Sequence, residues 1–440
     1  MKVGDMTVIK KHWVKTFTLA LSFSMLTPIA SSVKALEAPS IVSEAGIVVD
    51  YDTGEIIYEK GGNDKKFLAS TTKFMTALLF AENKNKTDML TYTSSAKSQP
   101  PYTLDNDYMK PYGKSLTVGD SISADTIMKG LLLFSGNDTA YVISDNVCAD
   151  TASFVNMMNN KAAEMKLTST HFENPNGLPI NGVDANYSTP YELSVITRAA
   201  YENDWIREVT TMTEATVTLP KDTRVKLQNR NTELNKNGNI GGKTGVTDGA
   251  GTCFTGIYER DGRKLLGVVL KCDRNNNNNT RFEDLAKMMD YSYAAEKEIF
   301  KTSGEEIGTA TLHYKVFGTF GPEKEITVPV TLDEDIKLYK NSINDAEATI
   351  SYNSDNTNAW SVAKNSTVPV TVSVKGYTSE VKGSVALTKS QLIEENLIVY
   401  ISAVAALAIA IILLLFIVKL LKSASRNKNR SINRRRRRRY

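Results

Sequence analysis

The 440-residue chain is 41% hydrophobic and 23% charged, which suits a packed core and excludes a largely disordered chain. Its net charge of +4 sits at the ends: residues 1–35 hold five Lys/Arg and one acid, and residues 419–440 hold eleven Lys/Arg and no acid. The stretch between them carries eleven more acids than bases, which excludes a nucleic-acid-binding body with a basic face.

In chain order, Lys10, Lys11 and Lys15 precede an apolar stretch from Phe17 to Ile29, and Val33-Lys34-Ala35 offers a cleavage site. This pattern predicts a signal peptide over 1–35. Residues 46–51 and 56–58 read as strands joined by the Asp52-Thr53-Gly54 turn. Helical spacing marks Ser70–Ala81, Ile127–Phe134, Thr139–Cys148, Thr151–Met165, Pro190–Tyr201 and Arg281–Ile299. Residues 172–187 are rich in Asn, Gly and Pro and read as loop, as does the Asn275–Asn279 run. Two β-rich segments between Thr252 and Lys271 flank the hairpin signal Asp261-Gly262. Helices between an early and a late strand group predict one α+β domain over 36–300.

From Ser303-Gly304 onward, short Thr/Val-rich alternating segments predict a small all-β domain over 301–390, read as a spacer without chemistry of its own. Leu397–Val418 is an uncharged apolar run, which predicts a transmembrane helix over 396–421. The basic residues that follow place the tail, 422–440, in the cytoplasm and the body outside. Three cysteines and three histidines, without Cys-x-x-Cys spacing, point to no metal site and no cofactor. Cys253 and Cys272 are expected on neighbouring strands, where pairing is open to them.

Three short motifs carry chemistry. In Ser70-Thr71-Thr72-Lys73, residues three apart share a helix face, so an amine can act on a hydroxyl and make it a nucleophile. Alone, the same tetrapeptide fits a capping serine and a surface lysine. In Ser135-Gly136-Asn137 the hydroxyl can relay a proton and the amide can orient a carbonyl or Lys73. Alone, it fits a turn before a helix. In Lys243-Thr244-Gly245, ahead of a β-rich segment, the lysine adds positive potential and the threonine can bond a carboxylate. Gly245 lets a peptide backbone lie close, although a strand-edge turn fits these residues too.

The set, in order and inside one domain, resembles the signature of penicillin-binding proteins and β-lactamases, with Gly136 in place of an Asp. Ala69–Lys73, Leu133–Asp138, Lys243–Gly245 with Thr247, His171-Phe172, Asn174–Leu178 and Tyr187–Pro190 resemble the low-molecular-mass D-alanyl-D-alanine carboxypeptidases over roughly residues 40–300. That resemblance implies a transpeptidase-like domain, with helices packed on an antiparallel sheet, acting on the pentapeptide stem of peptidoglycan. It implies Ser70 as nucleophile, Lys73 as base, and Ser135, Asn137 and Lys243 as catalytic partners. Thr244, Gly245, Val246, Thr247 and Arg281 are implied to bind substrate, Arg281 through its carboxylate. Val246 or Thr247 would complete an oxyanion hole with Ser70, and β-lactams are expected to inhibit covalently. Two other readings stand beside it: a β-lactamase, for which Glu173 and Asn174 are the residues to inspect, and a non-catalytic wall-binding protein. His171 is expected to be structural, since Lys73 already supplies a base.

Overall fold

The computed structural model describes residues 36–274, 279–352 and 358–437, with side chains to residue 426. The expected signal peptide, most of the Asn275–Asn279 run and the side chains of the Arg434–Arg439 run lie outside the described residues.

The early hairpin pairs with strands far along the chain. The strands are β1 (Ala45–Asp50), β2 (Ile56–Lys60), β3 (Glu214–Leu219), β4 (Thr223–Gln228), β5 (Asn239–Thr247), β6 (Gly251–Arg260) and β7 (Arg263–Cys272). Five of them form one antiparallel sheet in the order β2-β1-β7-β6-β5. β3 and β4 form a separate hairpin.

The main helices are α1 (Lys73–Asn83), α2 (Asn137–Val147), α3 (Thr151–Glu164), α4 (Pro190–Glu202) and α5 (Thr280–Ala294). The sheet is covered on both faces, and alternation along each strand divides the work. Ile47, Val49, Leu266 and Val268 face a core that includes Ile196 of α4 and Phe74 of α1. Val48, Leu265 and Val269 face Leu285, Met288 and Met289 of α5. Burying both faces explains why these strands read as apolar runs.

Several sequence expectations need correction. Lys243-Thr244-Gly245 precedes the strand β6 as expected, but it also lies inside a strand of its own, β5, the sheet's edge strand. The β3–β4 hairpin, whose Val217, Leu219, Val225 and Leu227 alternate with exposed residues, and the short helix Asp204–Thr210 are additions to the expected elements. The helix expected to reach Ile299 ends at Ala294, and Glu298–Lys301 is already a strand, paired with Ile336–Leu338. Cys253 and Cys272 are free, buried thiols. Their registers explain it: Cys272 pairs across from Thr252, so Cys253, one residue on, points to the other face of the sheet.

Beyond the first region lies an all-β domain. Its five strands are β8 (Glu306–Lys315), β9 (Glu323–Leu332), β10 (Thr349–Tyr352), β11 (Thr367–Val374) and β12 (Tyr377–Val385), ordered β8-β9-β12-β11-β10. A short helix, α6 (Lys389–Glu394), leads into α7 (Leu397–Arg437). The apolar part of α7 beyond Tyr400 is exposed, and the mean hydropathy is 3.2 over the helix's most apolar 18 residues. A helix this apolar and this exposed is long enough to cross a bilayer.

Candidate active site

The turn that carries Ser70 is held in an unusual shape from two sides. Ala69–Thr72 forms a single 3-10 turn that runs into α1 at Lys73, and Ala69 adopts φ +47°. A Cβ on Gly177 would meet the Ala69 carbonyl oxygen at 1.8 Å. A Cβ on Gly245 would meet the Leu68 carbonyl oxygen at 2.9 Å and the Ser70 nitrogen at 3.0 Å. Only glycine permits both approaches, so the loop after α3 and strand β5 can clamp the turn between them.

The clamp brings the first two motifs together. Lys73 Nζ donates to Ser70 Oγ at 2.8 Å, to the Asn176 carbonyl at 2.9 Å and to Asn137 Oδ1 at 3.2 Å. The Asn137 amide donates onward to the Pro101 carbonyl at 2.8 Å. Lys73 is wholly buried. That burial, with the Arg230 charge as a second cause, lowers its pKa to about 7, against a smaller opposing pull from Asp138.

The third motif joins from β5. Lys243 Nζ donates to Ser135 Oγ at 2.9 Å and to the Thr244 carbonyl at 3.0 Å. Ser135 reaches it from a left-handed conformation, φ +67°, uncommon for a non-glycine residue. Lys243 is buried too, and desolvation, reinforced by Lys73, Arg230 and Arg281, pushes its pKa well below the usual lysine range. The site therefore holds two serine–lysine pairs, each lysine buried and each serine turned toward the cleft.

That cleft, about 660 Å³, is lined by eight of the expected site residues: Ser70, Ser135, Asn137, Thr244, Gly245, Val246, Thr247 and Arg281. Lys73 and Lys243 stand behind Ser70 and Ser135. Thr247 Oγ1 donates to Asp184 Oδ1 at 2.7 Å and accepts from the Ala250 nitrogen at 3.0 Å, so its hydroxyl is already engaged. Among the described residues, Arg281 Nε and Nη1 are buried without a hydrogen-bond partner, and burial lowers its pKa to about 10. A guanidinium so placed favours an incoming anion.

Two contributors lie outside the three chemical motifs. Arg230 also lines the cleft, its guanidinium 4.4 Å from the Tyr102 ring centre and its Nε 2.7 Å from the Phe134 carbonyl. Asn176 acts through its backbone carbonyl, which a side-chain motif does not reveal. Asp138, fully buried, accepts from the Leu104 nitrogen at 2.8 Å, the Thr139 nitrogen at 2.9 Å and the Tyr92 hydroxyl at 3.2 Å. It ties the segment bearing Tyr102 to the Ser135–Asn137 corner.

His171, partly buried, and Glu173, exposed, pair with each other at 2.6 Å. Neither lines the cleft, whose one acid among the described lining residues is Asp248, ion-paired with Arg274.

A hydroxyl beside a buried amine of lowered pKa, on a helix start against a sheet edge, defines a serine acyl-enzyme hydrolase of the penicillin-binding class. Residues 32–274 match the model of the D-alanyl-D-alanine carboxypeptidase family, peptidase S11, and the chain belongs to that family. A D-alanyl-D-alanine carboxypeptidase of Streptomyces sp. strain K15 is 31% identical over 60% of this chain and 92% of its own length. The structure of a penicillin-binding protein homologue from Mycobacterium tuberculosis superposes with a TM-score of 0.55 at 26% identity, covering 60% of this chain and 96% of that one. Penicillin-binding protein D2 of Listeria monocytogenes, solved with cefotaxime bound, matches 58% of this chain and 99% of its own, at 27% identity and a TM-score of 0.50.

Proposed function

We propose that the chain removes the terminal D-alanine of peptidoglycan stem peptides through an acyl-enzyme on Ser70. The observation that carries this reading is the 2.8 Å contact between Ser70 Oγ and the buried Lys73 amine. With a pKa of about 7, that amine is substantially neutral near neutral pH and can take the serine proton.

Ser70 Oγ attacks the carbonyl of the penultimate D-alanine while its proton passes to Lys73. The backbone N–H groups of Ser70 and of Val246 or Thr247 face the oxyanion. As the C–N bond breaks, the Ser135–Lys243 pair returns a proton to the departing amine. Asn137 holds Lys73 in line. Thr244 and Arg281 hold the terminal carboxylate, Thr247 lines the same end of the cleft with its hydroxyl committed to Asp184, and Gly245 leaves room for the substrate backbone along β5. Water then releases the shortened stem and restores Ser70. A β-lactam ring offers the same attack and would leave a lasting ester on Ser70, in keeping with the cefotaxime-bound relative.

The exposed Glu173, engaged by His171, disfavours a β-lactamase that needs a glutamate at the acyl group. We assign residues 36–300 to catalysis, 301–390 to a spacer and α7 to a single membrane span with the body outside. Purified protein incubated with a D-Ala-D-Ala-ended peptide should release free D-alanine, and Ser70→Ala should not. Equal release by both proteins refutes the assignment.

A further inference from the structure

The end of the β domain beside α7 gathers five aromatic side chains: Tyr314, Phe317, Phe320, Trp360 and Tyr400. Trp360 Nε1 donates to the Lys315 carbonyl at 2.8 Å, and its ring meets Tyr314 edge-on at 6.2 Å. Phe317 stacks on Phe320 at 5.1 Å and meets Tyr400 edge-on at 5.3 Å. The Tyr400 hydroxyl donates to the Val316 carbonyl. Asn396 Nδ2 donates to the Tyr314 hydroxyl at 2.7 Å. Only two residues separate α6 from α7, so the helix leaves the β domain without slack.

Depth follows from the helix rise. Leu397–Val418 is 22 residues, roughly 33 Å of helix, close to a hydrocarbon core of about 30 Å. Tyr400 lies in the first turn of that run, roughly 5 Å below its start. Its depth is therefore the outer boundary between headgroups and acyl chains. The loop joining β8 to β9 is fastened to Tyr400, so it shares that depth. Phe320, at the loop's tip, is 65% exposed. Aromatic residues concentrate at this level of membrane proteins because the ring is apolar while nearby polar groups stay wet. Lys315 and Lys324 flank the loop and are exposed, Lys315 beside Glu323 at 3.7 Å, which leaves Lys324 to meet lipid phosphates.

We propose that the β8–β9 loop is a second membrane contact, with Phe317 and Phe320 seated in the outer bilayer interface beside α7. The proposal rests on α7 being a membrane span. A single helix leaves the body free to tilt about its junction. A lateral apolar foothold removes that freedom and fixes how the cleft is presented above the bilayer.

The test uses the full chain in phosphatidylglycerol/phosphatidylethanolamine vesicles whose acyl chains are brominated either near the headgroup or near the bilayer centre. Tryptophan is introduced as Phe320→Trp or Leu407→Trp, and each signal is read as the difference from the parent chain. Quenching of Phe320→Trp by the shallow bromines, together with quenching of Leu407→Trp by the deep ones, is the expected result. Quenching of Leu407→Trp with none at position 320 overturns the loop contact and leaves the span intact. Quenching at neither position removes the span, and the loop contact with it.

Discussion

Strand β11 of the β domain and strand β5 of the catalytic region obey different rules. In β11 the valines 368, 370, 372 and 374 point inward, and the Thr, Pro and Ser residues between them face outward. β5 buries most positions on both faces, and Lys243, Thr244 and Thr247 are among the buried side chains. The contrast extends to whole regions. Among the described residues after 300, the buried polar side chains are Asn344 and Asn396. Before that point lie the buried Lys73, Asp138, Lys243 and Arg281, and the strained Ala69 and Ser135. The β domain is organised for stability. The catalytic region holds desolvated charge and left-handed backbone that only a firm scaffold can maintain.

Substitutions can break that contrast or sharpen it. The largest effect belongs to Ser70→Ala, which should cut acylation and D-alanine release by a factor on the order of 1,000 or more while the fold persists. Gly177→Ala comes next. Its Cβ would collide with the Ala69 carbonyl at 1.8 Å, so the nucleophile's turn must move. The acylation rate should fall on the order of 100-fold, with circular dichroism unchanged.

Stability changes should separate the two regions. Val372→Ala in the β domain should cost about 2 kcal/mol in denaturant melts and leave kcat/KM unchanged. Asp138→Ala should cost about 1–3 kcal/mol, because it strips acceptors from the buried Leu104 nitrogen and Tyr92 hydroxyl, and it should lower activity as well. Equal retention of activity in both variants would erase the distinction. The smallest effect is on Arg230→Gln. Arg230 is a like charge that holds the Lys73 pKa down. Its removal should shift the rising limb of the pH–rate profile to higher pH, read by stopped-flow acylation.

Much of this was legible in the sequence, and the reasons are local. Ser70 and Lys73 are three residues apart, so one helical turn puts them on the same face, although that turn is 3-10 and clamped from outside. Four of the sheet's five strands announced themselves, through runs such as Leu265–Leu270. What escaped was what only tertiary contact defines. The Arg230 guanidinium bears on Lys73 from a distant loop with no motif around it, and the Asn176 carbonyl, although inside the Asn174–Leu178 stretch, acts through backbone that no side-chain pattern reveals. Lys243-Thr244-Gly245 resembled a turn because its glycines mask a strand, and those glycines exist for close approach. The cysteines do sit on neighbouring strands, and whether they pair was open in the sequence because one step along a strand reverses the face.

The central claim is that a neutral Lys73 deprotonates Ser70. The pH dependence of the second-order rate of Ser70 acylation by a β-lactam tests it most directly. The account predicts a rate that rises about tenfold per pH unit below a midpoint near 7 and levels above it. A rate that is flat across this range, or a midpoint near the ordinary lysine value of 10.5, would contradict it.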